Sequence, residues 1–252
     1  PSPVFGPVQS RRLGVSLGIN LLPGDGKRCT FDCIYCECGF NADFPSSSPF
    51  PSEQLVLSTL EDTLRGRKSR NLPLDDITFA GNGEPTMHPC FPSIVDGVIA
   101  LRDKYYPDVK LSVLSNSTFI SKAEVRTALM KIDNNILKLD TVDMEYIRKV
   151  DRPVGRYDVC EIIDNLKKFN GHVIIQTMFM KGRMNGVDID NTSDKFVLPW
   201  IQAISEIKPQ KVMVYTIARE TPDPDLEKAS PVELDGIVKR LKDKGISAIA
   251  SY

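Results

Sequence analysis

A chain of 252 residues with 41% hydrophobic and 26% charged side chains has enough apolar material to bury a core and too much to stay disordered. Its formal net charge of −1, from 32 Lys+Arg against 33 Asp+Glu, gives no global attraction for nucleic acid or for an anionic membrane surface. No segment approaches the roughly 18 consecutive apolar residues that span a bilayer. The opening PSPVFGPVQSRRLGVSLGINLL lacks the charged start and apolar run of a secretory signal, so the sequence predicts a cytoplasmic protein.

In chain order, residues 16–21 read as a first strand, followed by four closely spaced cysteines and a polar, proline-rich loop that runs to residue 52. Helix 53–67 comes next, then strand 76–80, helix 94–105, strand 110–114, helix 122–131 and strand 135–139. The second half continues with helix 159–169, strand 173–179, helix 192–207, strand 211–216, helix 231–244 and a closing strand over 247–250. Continuous, largely apolar runs such as VIIQTMF and KVMVY suit strands buried on both faces. Ser52 before EQL, Ser121 with Glu124 three residues on, and Ser230 before Pro231 and Glu233 are helix starts. Lys244 and Gly245 form a helix end. Strand–helix alternation of this length predicts βαβ units, a parallel sheet and outer helices. The fold class expected from about six or seven such repeats is α/β, a barrel or an open partial barrel, in a single domain over residues 1–252 with a loop at 37–52.

Six cysteines stand at 29, 33, 36, 38, 90 and 160. Four of them crowd into ten residues, a pattern that points to metal rather than to a disulfide framework. The segment Cys29-Thr30-Phe31-Asp32-Cys33-Ile34-Tyr35-Cys36 follows the first strand, at the end of a parallel sheet where active sites gather. Thiolates of Cys29, Cys33 and Cys36 on one short loop can wrap one iron–sulfur cluster, and three ligands leave one iron open. A structural zinc site drawing on Cys29 or Cys33, Cys36 and Cys38 is the alternative. Zinc of that kind needs four ligands, commonly in two pairs, whereas His88 and His172 stand apart. Isolated cysteines are most often small buried hydrophobes. That is the expectation for Cys90 and Cys160, with Cys38 partly exposed beside the motif.

The Cys-x-x-x-Cys-x-x-Cys spacing with Tyr35 before the last cysteine resembles the signature of the radical S-adenosylmethionine (SAM) superfamily. Together with the strand–helix alternation, the resemblance implies a partial (β/α)6 barrel. It further implies a [4Fe–4S] cluster on Cys29, Cys33 and Cys36 whose fourth iron takes the amino and carboxylate groups of SAM. Reductive cleavage of SAM would then give a 5′-deoxyadenosyl radical that abstracts hydrogen from a substrate, an oxidoreductase-type chemistry. Gly81-Asn82-Gly83-Glu84-Pro85-Thr86, after strand 76–80, is similar to the family's GGEP motif with Asn82 inserted. The resemblance makes Tyr35, Gly81, Asn82, Gly83, Glu84, Pro85, Ser115, Asn116, Gln176 and Met178 cofactor-contacting residues. Lys138 and Asp140 fall where the family places polar active-site groups, and Tyr215 would line the same pocket. Flavodoxin or ferredoxin is the implied electron donor.

The runs FGPVQSRRLGVSLGINLLP, DITFAGNGEPTMHP, VDRPVGRYD and KPQKVMVYT resemble a branch named after the tRNA wyosine-base synthetases. No cysteine precedes Cys29, so the second cluster of those synthetases has no ligands here, and tRNA is a weakly supported partner. A glycyl-radical activase is a rival within the superfamily, and a zinc-binding module is the rival outside it. Arg11, Arg12, Arg152, Arg156 and Arg183 are candidates for a cationic mouth. Asp151-Arg152-Pro153 would alternatively be a turn held by its own ion pair.

Overall fold

The computed structural model describes residues 2–10 and 13–252, so Arg11 and Arg12 lie outside the described residues. The backbone falls into two compact units, one of Pro1–Cys29, Phe44–Ser115 and Ser121–Asn135, the other of Thr30–Asp43, Asn116–Ile120 and Ile136–Tyr252.

The first unit runs β1 (Val4–Ser10), β2 (Gly14–Ile19), α1 (Glu53–Ser69), β3 (Asp76–Phe79), a 3-10 turn (Pro85–Met87), α2 (Phe91–Tyr105), β4 (Lys110–Ser115) and α3 (Ala123–Leu129). β1 folds back antiparallel on β2, and β2, β3 and β4 pair in parallel, with Ile19 beside Phe79 and Phe79 beside Val113. All four residues of β3 are buried, as a strand covered on both faces must be. Helix α1 buries Val56, Leu60 and Leu64, a four-residue spacing that makes one apolar stripe. Its cap is Ser52, whose Oγ accepts from Leu55 N at 3.2 Å. Helix α2 starts three residues before the expected position, because Pro at its first turn costs no hydrogen bond. Phe91 then meets Phe79 edge-on at 5.7 Å. Helix α3 departs from expectation: its cap is Lys122, with no side-chain bond, and Ser121 does not cap it.

Inside this unit Asp76 is 1% exposed. It accepts from Ser112 Oγ at 2.5 Å, from Ser16 Oγ at 3.3 Å and from Thr78 Oγ1. Burial raises its pKa above the ordinary carboxylate value, the three hydroxyls pull it partly back, and the charge of Asp133 raises it further. A group whose folded pKa is raised favours folding in its protonated form. Its contribution is therefore full below about pH 4 and is lost as pH climbs through the folded value. Asp76→Asn is expected to gain stability over the unchanged protein as pH rises from 4 to 8. Urea unfolding midpoints at three pH values check this, and a difference that does not grow with pH refutes it.

The second unit takes the last three residues of β5 (Asn134–Lys138), then α4 (Met144–Val150), α5 (Val159–Lys167), β6 (Ile174–Met178), β7 (Met180–Met184) and β8 (Val187–Asp188). It ends with α6 (Asp194–Ile207), β9 (Lys211–Tyr215), β10 (Leu226–Lys228), α7 (Pro231–Asp243) and β11 (Ala248–Ser251). β5, β6, β9 and β11 pair in parallel in that order. Trp200 of α6 anchors this layer, packing at 89° on Phe179 and donating from Nε1 to Leu139 O at 2.9 Å. β10, β7 and β8 form a small antiparallel sheet. Helix α7 begins with a capping box, Ser230 Oγ accepting from Glu233 N while Glu233 reaches back to Ser230 N. All seven expected strands are present within two residues, and the six expected helices within three. β1, β7, β8, β10, α4 and the 3-10 turn are additions. Among the described residues no helix is long and apolar enough to cross a membrane.

Candidate cofactor site

In the first unit, the segment after β3 is fastened to the residue just before Cys29. Arg28 N donates to Asn82 O at 2.8 Å, and Glu84 N donates to Arg28 O at 3.3 Å. Gly83 sits at φ 144°, where a Cβ would lie 1.8 Å from Arg28 O. Gly81, at φ 155°, would put a Cβ 2.3 Å from Asn20 Oδ1. The space these glycines leave is taken by the chain's own backbone and side chains. Glu84 is 1% exposed, and its Oε1 accepts from Thr86 N at 3.1 Å, Ser115 Oγ at 2.8 Å and Thr86 Oγ1. Pro85 is buried and opens the 3-10 turn. Cys29 is half-buried.

In the second unit the cysteine loop lies antiparallel to the end of α4 and the turn after it. Asp32 N donates to Asp151 O at 3.0 Å, Ile34 N to Val150 O at 3.0 Å, and Val154 N to Thr30 O at 2.9 Å. Two tight turns follow, Cys36 N to Cys33 O at 3.1 Å and Gly39 N to Cys36 O at 2.9 Å. Ile34 is fully buried and Phe31 is 2% exposed, so the loop is anchored by apolar side chains between its cysteines. Cys33 is buried, while Cys36 and Cys38 are half-buried. Asn116 also ties in this loop. Its Nδ2 donates to Thr30 Oγ1 at 2.8 Å, its Oδ1 accepts from Thr118 N at 3.1 Å, and the Thr30 and Thr118 hydroxyls lie 2.7 Å apart.

Beneath the loop the same unit gathers four polar side chains. Lys138 Nζ lies 3.1 Å from Asp140 Oδ2, 3.0 Å from Asp151 Oδ1 and 3.2 Å from Cys33 Sγ. Tyr35 OH bonds to Lys138 and Asp140, and to Asp151 at 3.2 Å. Asp140 Oδ1 also accepts from Met178 N at 2.9 Å. Burial alone would lower the Lys138 pKa, but the charges of Asp140 and Asp151 more than reverse it and hold the ammonium well above its ordinary value. Burial raises Asp151 to about 7 against the pull of Lys138. Burial and the charge of Asp140 keep Tyr35 protonated far above its ordinary range.

The residues singled out in the sequence are thus distributed over several contacts. Ser115 holds Glu84, Asn116 holds Thr30, and Tyr35 holds the Lys138 cluster. Gln176 is half-buried beside Lys138 in the β5–β6 register, and Tyr215 is half-buried beside Met178 in the β6–β9 register. Met178 is 5% exposed, and its carbonyl accepts from Asn191 Nδ2 at 2.9 Å. Asp151 was read from sequence only as part of a local turn. Its neighbour Arg152 instead pairs with Asp32 at 3.2 Å, leaving Asp151 to Lys138. Arg156 is bound to Glu161 at 2.5 Å on an exposed surface, and Arg183 is exposed. Cys160 is exposed and Cys90 half-buried, not the buried hydrophobes expected, because each lies in the first turn or cap of a helix whose apolar stripe faces elsewhere.

The family model described as the radical SAM superfamily matches residues 25–196. The chain belongs to this superfamily. It spans the cysteine motif, the GNGEP segment and the Lys138 cluster, and membership carries an iron–sulfur cluster, SAM and radical chemistry in general. Among curated relatives, a UPF0026 protein of Helicobacter pylori is 30% identical over 183 residues, covering 71% of this chain and 56% of that one. This radical SAM chain therefore spans little more than half the length of that relative. Among solved structures, a radical SAM methyltransferase from Sphaerobacter thermophilus superposes with TM-score 0.69 at 16% identity, over 94% of this chain and 66% of that one. TYW1 with a lysine–pyruvate adduct bound superposes with TM-score 0.61 at 14% identity, over 90% and 73%. At such identities the likeness shows the fold, the α/β class with a parallel sheet of the radical SAM type.

Proposed function

We propose that this radical SAM chain holds a [4Fe–4S] cluster on Cys29, Cys33 and Cys36 and uses it with SAM to abstract hydrogen from a substrate. The donor set carries the reading. Three thiolates at this spacing suit a cluster that normally takes four ligands, which would leave one position for SAM. Held by Cys29, Cys33 and Cys36, such a cluster would supply the electron for reductive cleavage of SAM.

The protein's part is to position and to exclude. The pairing of Asp32 and Ile34 with Asp151 and Val150 supports a loop that presents its sulfurs from a fixed backbone. Burial of Phe31, Ile34 and Tyr35 supports exclusion of water from the protein side of the motif. The GNGEP segment, held by Arg28 and by the Glu84–Ser115 bond, is the proposed contact for the SAM ammonium. Backbone carbonyls of this segment would supply the acceptors, while the buried Glu84 carboxylate, engaged by Thr86 and Ser115, fixes its shape. Gln176, half-buried in the second unit, and Met178 two residues on are further proposed SAM contacts.

The test is anaerobic reconstitution with iron and sulfide, then addition of SAM and dithionite and assay for 5′-deoxyadenosine. Product is expected, and it is expected to vanish when Cys29, Cys33 and Cys36 are all changed to Ala. Purification with zinc and without iron or sulfide would refute the reading.

A further inference from the structure

We propose that Lys138 is a positioning residue for the cluster, its ammonium donating a hydrogen bond to the Cys33 thiolate and so setting the reduction potential. The inference rests on the reading of Cys33 as a cluster ligand and goes beyond it, because nothing in the cysteine motif calls for a cation.

Three observations carry it. Lys138 Nζ stands 3.2 Å from Cys33 Sγ, inside the reach of an N–H···S hydrogen bond. The side chain is 13% exposed, so water does little to screen the contact. The ammonium is also held from every side. Asp140 and Asp151 lie at 3.1 and 3.0 Å, Tyr35 OH bonds to it, and the rings of Tyr35 and Phe31 lie 4.5 and 5.3 Å away. An ammonium has three donors and no acceptor. Four acceptors face it, two carboxylates, the Tyr35 oxygen and the Cys33 sulfur, so its donors are fully engaged with the sulfur among their partners.

The competing view is a structural ion pair that happens to touch a cysteine. Asp151 Oδ1 is itself 3.7 Å from the sulfur and opposes the lysine there. The cation is nearer and carries the donating N–H, so its effect on the sulfur wins. At longer range the two carboxylates offset the lysine, which confines the effect to the ligand it touches. Hydrogen bonds to cluster sulfurs raise the reduction potential, since added negative charge is better accommodated.

The experiment uses the reconstituted full chain grown with lysine labelled with 15N at Nζ. In the reduced protein, pulsed EPR should record a lysine 15N coupling to the cluster. Lys138→Met should lose that coupling and become harder to reduce by about tenfold, or about 59 mV for one electron. A loaded wild-type cluster with no lysine coupling overturns the inference, whether or not the variant folds. So does a loaded variant whose potential is unchanged. Iron and sulfide analysis comes first: a wild-type protein that holds no iron fails at the cluster reading, which separates the two failures.

Discussion

Replacing Cys33 alone with Ala is expected to abolish 5′-deoxyadenosine formation, leaving only the background seen without protein. The same result is expected for Cys29→Ala and Cys36→Ala, because a cluster held by three thiolates has no spare ligand. Cys33 should be the most severe for iron retention. It is the buried member of the set, and its loss also leaves the Lys138 ammonium facing an alanine. The discriminating variant is Cys38→Ala. A zinc loop needs four cysteines and would lose its metal with Cys38, whereas the cluster reading requires neither Cys38 nor the exposed Cys160. Iron, sulfide and zinc content, measured beside product formation across the four variants, decides between them. Loss of metal on removing Cys38, with zinc rather than iron present, would sink the three-cysteine assignment.

The second large effect concerns folding. Gly83→Ala is expected to cost about 3–5 kcal/mol, combining left-handed strain with a clash against backbone. The added Cβ would stand 1.8 Å from Arg28 O at a φ of 144°. Neither partner can yield cheaply, because Arg28 is held through its N–H to Asn82 and its carbonyl to Glu84. In a chain of this size such a loss corresponds to roughly 10 °C in Tm. The control is Gly236→Ala in α7, where nothing lies within 4 Å of the new methyl. That change should stabilise by about 0.5–1 kcal/mol through helix propensity. Thermal unfolding of both variants tests the pair, and a Gly83→Ala protein as stable as the parent refutes the close-packing account.

Much of the fold was legible because the parallel strands are buried, largely apolar runs, and the helices between them carry apolar stripes. What escaped did so for physical reasons. β1 reads VFGPVQS, with Gly6 and Pro7 interrupting the pattern and mostly exposed side chains providing no alternation. Helix α4 is only seven residues long, and its cap, Asp143 accepting from Tyr146 N at 3.0 Å, follows a polar stretch with no helical period. Lys138 and Asp140 stood out as charges at the end of a buried strand, which must find partners. Their shared partner Asp151 did not stand out. It is brought there by backbone pairing of residues 30–34 with residues 150–154, and no spacing within either segment records that alignment. Adjacency suggested an Asp151–Arg152 pair, and the longer-range Arg152–Asp32 contact took its place.

That same backbone pairing bears on how a metal centre is assembled. In a zinc finger the loop is disordered until the ion arrives, and ion binding and folding are one event. Here the segment carrying Cys33 is joined to residues 150–154 by backbone hydrogen bonds and seated on Phe31 and Ile34. None of these contacts uses a metal–sulfur bond, so the proposed cluster would draw on order that the polypeptide supplies by itself.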